Sequence, residues 1–133
     1  MGYYMYQMGS NFRIDASRMG ELFLALKRCE SNFYVSASDI EEANTVEELF
    51  NAWRWEPKFD EQNNMDAVYF EGEKARNEEA FLNCIAPFVD EGSYIEMKGE
   101  DDAMWRWWFT DGQCVEIHPK ITWPDMDEQE EHK

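Results

Sequence analysis

Two glutamates, Glu96 and Glu116, bracket Arg106 in the aromatic last third of this 133-residue chain, and paired carboxylates are what general acid–base chemistry uses. An arginine between them holds both ionised, the opposite of the split proton affinities that such a pair needs. Asp60, Gln62, Asn64, Asp66 and Glu71 fall at positions 1, 3, 5, 7 and 12 of a calcium-loop template. Position 6, however, is Met65 where the sharp turn needs glycine, and position 9 is Val68, so the run reads as a solvated hairpin loop. The two histidines, His118 and His132, have no His or Cys at ligand spacing, which speaks against zinc and against a Cys–His nucleophile. Three cysteines, Cys29, Cys84 and Cys114, are odd in number and lack a C-x-x-C spacing. That argues against a disulfide framework and a thiolate metal site, and fits a reducing cytosol. Neither G-x-G-x-x-G nor G-x-x-x-x-G-K occurs. The expectation is a chain without catalysis, metal or cofactor.

The elements that must position these groups follow an α+β order. Hydrophobic residues make up 44% of the chain and aromatics 16%, enough for a real core in a single domain over residues 1–124, with an acidic, mobile tail at 125–133. "YYMYQM" (Tyr3–Met8) and "NFRI" (Asn11–Ile14) predict two short strands around Gly9-Ser10, and Asp15 predicts the cap of the next helix. Met19, Leu22, Phe23 and Leu26 lie at i, i+3, i+4 and i+7, one apolar stripe on a helix of residues 16–29. Thr45 followed by Glu48 is a capping-box pattern opening a second helix that buries Val46, Leu49, Phe50 and Trp53. A third opens near Asn77 and presents Ala80, Phe81, Cys84, Ile85 and Phe88, so Cys84 is expected in the core. Between these helices, "WEPKF" and "AVYFEG" predict a hairpin whose first strand, holding Pro57, lies at a sheet edge. Tyr94 to Ile117 predicts a three-stranded antiparallel meander, with about three helices packed on one face of a mainly antiparallel sheet.

Register decides which side of "WRWWF" (Trp105–Phe109) is the core. A two-residue Asp111-Gly112 turn sets Thr110 against Gln113 and places Glu116 beside the tryptophans, mixing the faces. A three-residue "TDG" loop instead sets Trp107 against Val115, Trp105 against Ile117 and Arg106 against Glu116. The second register is preferred because apolar and charge pairing agree. A loop of Glu100-Asp101-Asp102 sets Met97 against Trp105 and Ile95 against Trp107. Trp108 then falls on the polar face with Tyr94 and Cys114, either lying over Arg106 or packed under the N-terminal strands or the tail, or else serving as an anchor of a partner or ligand site.

The charge is uneven. Residues 1–38 hold three acids and four bases, and the remaining 95 hold 26 acids and eight bases, so nearly all of the net −17 lies beyond residue 38. Such a field repels nucleic acid, anionic lipid and acidic substrates and attracts basic surfaces, or else simply keeps an aromatic protein soluble. Carboxylates in first helical turns, Glu47, Glu48, Glu78 and Glu79, have a local reason in the helix dipole. Those of the loops and tail do not. DNA presents one charge per ~1.7 Å of axis, and a folded surface of dense carboxylates can compete for a phosphate-binding groove. The N-terminus shows neither a signal-peptide pattern nor a myristoylation pattern, and no stretch is long and apolar enough to span a membrane, which points to the cytoplasm of a host cell.

In size, acidity, α+β make-up and lack of motifs, the chain resembles the small inhibitors that phages and mobile elements make against restriction or CRISPR systems, several of which mimic DNA. "GSYIEMKGEDDAMWRWWF" (Gly92–Phe109) is also similar to an element recurring in small phage and bacterial proteins, to which no activity attaches. The first resemblance implies a non-catalytic inhibitor of a basic, nucleic-acid-binding protein, a nuclease or effector complex. From the residues themselves, the contacts expected are Glu41, Glu42, Asp60, Glu61, Asp66, Glu100, Asp101 and Asp102, with Tyr94, Met104 and Trp108 as anchors. Two alternatives stay open: a protein that sequesters a nucleotide signal or cationic metabolite on its aromatic face, and an immunity protein against a basic toxin nuclease.

Overall fold

A computed structural model describes residues 2–29, 35–75 and 77–125, so His132 and all of the acidic tail but Asp125 lie outside the described residues. Six strands, β1 Met5–Asn11, β2 Trp55–Phe59, β3 Met65–Phe70, β4 Tyr94–Gly99, β5 Met104–Thr110 and β6 Gln113–Ile117, form two antiparallel sheets among these residues. The main sheet runs β1-β4-β5-β6, and β2-β3 is a separate hairpin. Four α-helices accompany them: α1 Met19–Arg28, α2 Ala37–Glu42, α3 Val46–Ala52 and α4 Glu78–Ile85. The α+β reading and the meander stand. The helix α2, capped by Ser36, is an element that the acidic composition of "SDIEE" concealed.

The two N-terminal strands expected around Gly9-Ser10 are one. Gly9 does not turn the chain but pairs with Glu96, and a bulge between Gln7 and Gly9 absorbs the extra residue. Gln7 then reaches the other sheet, donating from Nε2 to the Val68 carbonyl (2.9 Å) and accepting from the Phe70 N–H (2.8 Å). Beyond β1, Ile14 pairs with Met65, so the hairpin is stitched to the N-terminal segment at two points. The helix expected from residue 16 begins as a 3-10 turn, Ala16–Arg18, because the Asp15 carboxylate accepts from the Ser17 N–H (3.0 Å) and hydroxyl (2.6 Å). Those bonds, with Arg13 beside them, hold the Asp15 carboxyl down at about 2. Thr45 caps α3 through the Glu48 N–H (3.0 Å), and Glu48 returns the contact to the Asn44 N–H (2.7 Å).

The core lies between the main sheet and the helices. Trp55 of β2, Phe81 of α4 and Trp107 of β5 are joined ring to ring, with Trp55 to Phe81 at 6.3 Å and Trp55 to Trp107 at 6.2 Å. Leu22, Leu26, Leu49, Phe50, Ile85, Ile95, Met97 and Phe109 complete it. Cys84 is half-buried beside this core and bonded to Cys29 across 55 residues of sequence. This overturns the expectation of unpaired cysteines and removes their support for a reducing compartment. α1 and α4 are packed together, so two cysteines on facing surfaces meet although nothing in their spacing announces it.

β4 and β5 pair as read, Ile95 with Trp107, Met97 with Trp105 and Glu96 with Arg106. β5 and β6 do not. Thr110 faces Gln113 and Trp107 faces Glu116, the register given up in favour of apolar matching. Turn chemistry decides it: Asp111 (φ 53°) and Gly112 (φ 72°) both take the left-handed conformation of a two-residue hairpin turn. Glu91 fixes the turn by accepting from the Thr110 hydroxyl (2.5 Å) and the Asp111 N–H (2.8 Å). Gly112→Ala is therefore expected to lower the unfolding free energy by about 1 kcal/mol. Urea unfolding at unchanged m reads this, and an unaltered midpoint would show that the turn conformation is not needed.

Candidate protein-binding face

Three cross-strand rows make up the side of the main sheet that faces away from the helices. They are Tyr6–Lys98–Met104, Gly9–Glu96–Arg106–Ile117 and Asn11–Tyr94–Trp108–Val115. Tyr6, Trp108 and Val115 are exposed there, with Met8 exposed at the bulge. Trp108 retains 38% of its surface in solvent. Scattered apolar residues on a surface need no explanation, but contiguous rows of tyrosine, tryptophan and methionine do. Arg106 is ordered at the centre, its guanidinium 4.3 Å from the Tyr94 ring centroid and its Nε 2.8 Å from Glu96 Oε1. The expected second partner, Glu116, is on the opposite face, so Arg106 meets Ile117 there instead, and Val115 replaces Cys114 beside Trp108.

The sequence-expected residues separate into three groups. Tyr94, Met104 and Trp108 share this face, and Glu100, Asp101 and Asp102 form the β4–β5 turn at its end. Glu41 and Glu42 close α2, while Asp60, Glu61 and Asp66 sit on the β2–β3 hairpin, so neither set belongs to the main sheet. Several carboxylates have local work. Asp60 Oδ1 accepts from the Gln62 and Asn64 N–H groups, both at 2.9 Å, which holds its carboxyl below the usual range, the Asn64 side chain contributing most. Glu100 accepts from the Tyr4 N–H (3.1 Å), and Asp101 accepts from the Tyr3 hydroxyl and the Ala103 N–H. The Tyr3 hydroxyl is correspondingly raised to about 12 by its bond to Asp101. Asp102 lies 3.6 Å from Lys98 and is otherwise exposed, as are Glu41, Glu42, Glu61 and Asp66.

No family model, curated protein or solved structure matches this chain. What the face does must be argued from its chemistry. Among the described residues no group of three or more His, Cys, Asp or Glu side chains is placed to hold a metal ion, and no helix is long and apolar enough to cross a membrane.

Two features went unread in the sequence. The chain leaves β6 along His118–Asp125 with Ile121 and Trp123 87% and 86% exposed, on a segment punctuated by Pro119 and Pro124. A groove of about 280 Å³ lies where this segment departs, lined by Met104, Arg106, Ile117 and Pro119 among others. The signal was present in the spacing: Ile121 and Trp123 two apart between prolines lie on one side of an extended chain.

Proposed function

We propose that this chain is a non-catalytic acidic inhibitor that binds a basic, nucleic-acid-binding protein, a nuclease or effector complex of a host cell, and covers its nucleic-acid site. The observation that carries this reading is the sheet face turned away from the helices, where the exposed Trp108 and the half-buried Tyr94 and Met104 stand beside the carboxylates of the β4–β5 turn. A net charge of −17 makes a basic surface the favoured partner and a nucleic acid or anionic membrane a disfavoured one. The aromatic anchors supply the short-range contact that carboxylates alone do not. The proposed cytoplasmic location follows from the partner's chemistry and no longer from the cysteines.

Capture from host lysate at low salt, repeated at ~0.5 M salt, tests the proposal, because surface charge is screened within a few ångströms there. The expected result is a nucleic-acid-binding protein retained at low salt and lost at high salt, with Trp108→Ala weakening it by about 30-fold, as an anchor residue does. Capture that ignores salt, or that Trp108→Ala leaves unchanged, would overturn it. The reading of a sequestered nucleotide signal gains little, since Arg106, the cation at the outer groove, is already bonded to Glu96.

A further inference from the structure

The rejected strand register has a second effect, on the helix side of the sheet. It turns Glu116 inward next to Trp105 and Trp107, where a cavity of about 320 Å³ opens between the segment entering β1, the start of α4 and the strands β5 and β6. We infer that this cavity binds an organic cation, the side chain of an arginine or lysine residue, between the rings of Tyr3, Trp105 and Trp107 and the carboxylates of Glu79 and Glu116. The inference deepens the proposed function and rests on it for the source of the cation, a basic protein.

The rings form a corner. Trp105 and Trp107 meet at 76° with centroids 5.9 Å apart, and Tyr3 lies 6.4 Å from Trp105. Trp107, only 5% exposed, backs this corner, and the half-buried Tyr3 and Trp105 offer the ring surface that an ammonium or guanidinium group would meet. Tyr3 is fixed in place by its hydroxyl bond to Asp101 and by lying against Gly99, where a Cβ would collide with its ring.

Glu79, from the start of α4, and Glu116, from β6, both line this cavity. Their charges also reach Cys114 on β6, where, after burial, they help to push the thiol up to about 12. Glu78, also on the wall, is bonded to Arg54, whereas Glu79 and Glu116 are exposed, Glu116 lying 2.9 Å from His118. The positive end of the α4 dipole opposes a cation, but Glu78 and Glu79 in its first turn offset that field.

The wall selects an organic cation over a bare ion. Aromatic rings hold guanidinium and ammonium groups, whereas a metal ion needs a set of convergent ligands, and among the described residues no group of three or more His, Cys, Asp or Glu side chains is placed to hold one. The indole nitrogens of Trp105 and Trp107 are closed off from solvent and take no part.

The test follows the indole resonances of the six tryptophans in the 15N-labelled full chain during titration with Nα-acetyl-arginine methylamide, its lysine counterpart and, as the neutral control, Nα-acetyl-alanine methylamide. Saturable shifts at Trp105 and Trp107 with the two cationic probes, absent with alanine and absent at Trp108 and Trp123, are expected. Glu79→Gln combined with Glu116→Gln changes only exposed carboxylates and is expected to weaken binding about threefold to tenfold. Gly99→Ala, which displaces the Tyr3 ring without altering charge, is expected to weaken it as well. The inference is overturned if the Trp105 and Trp107 shifts do not saturate, appear equally with alanine, or persist unchanged in the double variant. Partner capture that survives loss of probe binding would remove the pocket and leave the proposed function. Probe binding without capture of any basic protein would do the reverse.

Discussion

Reduction of the Cys29–Cys84 bond is expected to lower the unfolding free energy by about 4 kcal/mol, the chain-entropy value for a loop of this size. For a chain of 133 residues that corresponds to a fall of roughly 15 °C in Tm. The bond closes a loop containing α2, α3 and the whole β2–β3 hairpin, and its ends tie α1 to α4, which already pack together. Cutting it leaves the native contacts in place and frees the unfolded chain. Thermal unfolding followed by circular dichroism with and without reductant reads the effect, and the double substitution Cys29→Ser, Cys84→Ser separates it from any action of the reductant. Alkylation under denaturing, non-reducing conditions should label one cysteine, Cys114. In the native state Cys114 itself should resist alkylation at neutral pH, because its thiol is pushed up to about 12 and the thiolate is the reactive form. Three labelled thiols and an unchanged Tm under reductant would show that the cysteines are not bonded.

An odd count without C-x-x-C is an argument about families of disulfide frameworks, whereas pairing depends on which surfaces meet. The amphipathic stripes of α1 and α4 were legible, and both helices pack where those stripes direct them, but their mutual placement was not encoded at any local spacing. The β5–β6 register failed for a different reason. Apolar matching and an Arg106–Glu116 pair favoured a three-residue loop, yet Asp-Gly is the strongest short-range hairpin signal, and the backbone obeys it at Asp111 and Gly112. β6 is at the end of the sheet, so facing Val115 and Ile117 outward costs less than it would in a central strand. That error hid the cation pocket, because it placed Glu116 on the wrong side of the sheet. The aromatic outer face survived the error, since Tyr94, Met104 and Trp108 depend only on the β4–β5 pairing, which was read as it stands.

Glu78→Ala is expected to destabilise the fold by about 3–5 kcal/mol, the cost of stripping one member from a buried ion pair. Glu78 was read as one of two carboxylates meeting the α4 dipole, but only Glu79 is in solvent. Glu78 is 5% exposed and accepts from Arg54 Nη2 at 2.5 Å. Arg54 links four elements. Its backbone takes the left-handed conformation (φ 70°) that turns the chain from α3 into β2, and its carbonyl accepts from the Glu71 N–H just past β3 (2.8 Å). Its guanidinium donates to the Lys74 carbonyl (3.0 Å) and lies 5.3 Å from the Phe70 ring centroid. Gly72 keeps that space open, because a Cβ there would run into the guanidinium and the Phe70 ring. Without Glu78 the cation stays in a site where its side chain is 19% exposed and loses the carboxylate 2.5 Å away. Replacing both groups by apolar residues, Arg54→Met with Glu78→Leu, should recover most of the loss, since the desolvated charge is then removed with its partner. Urea unfolding of the single and double variants at unchanged m measures the difference. A Glu78→Ala cost below about 1 kcal/mol would instead place the pair in the class of solvent-screened surface bridges.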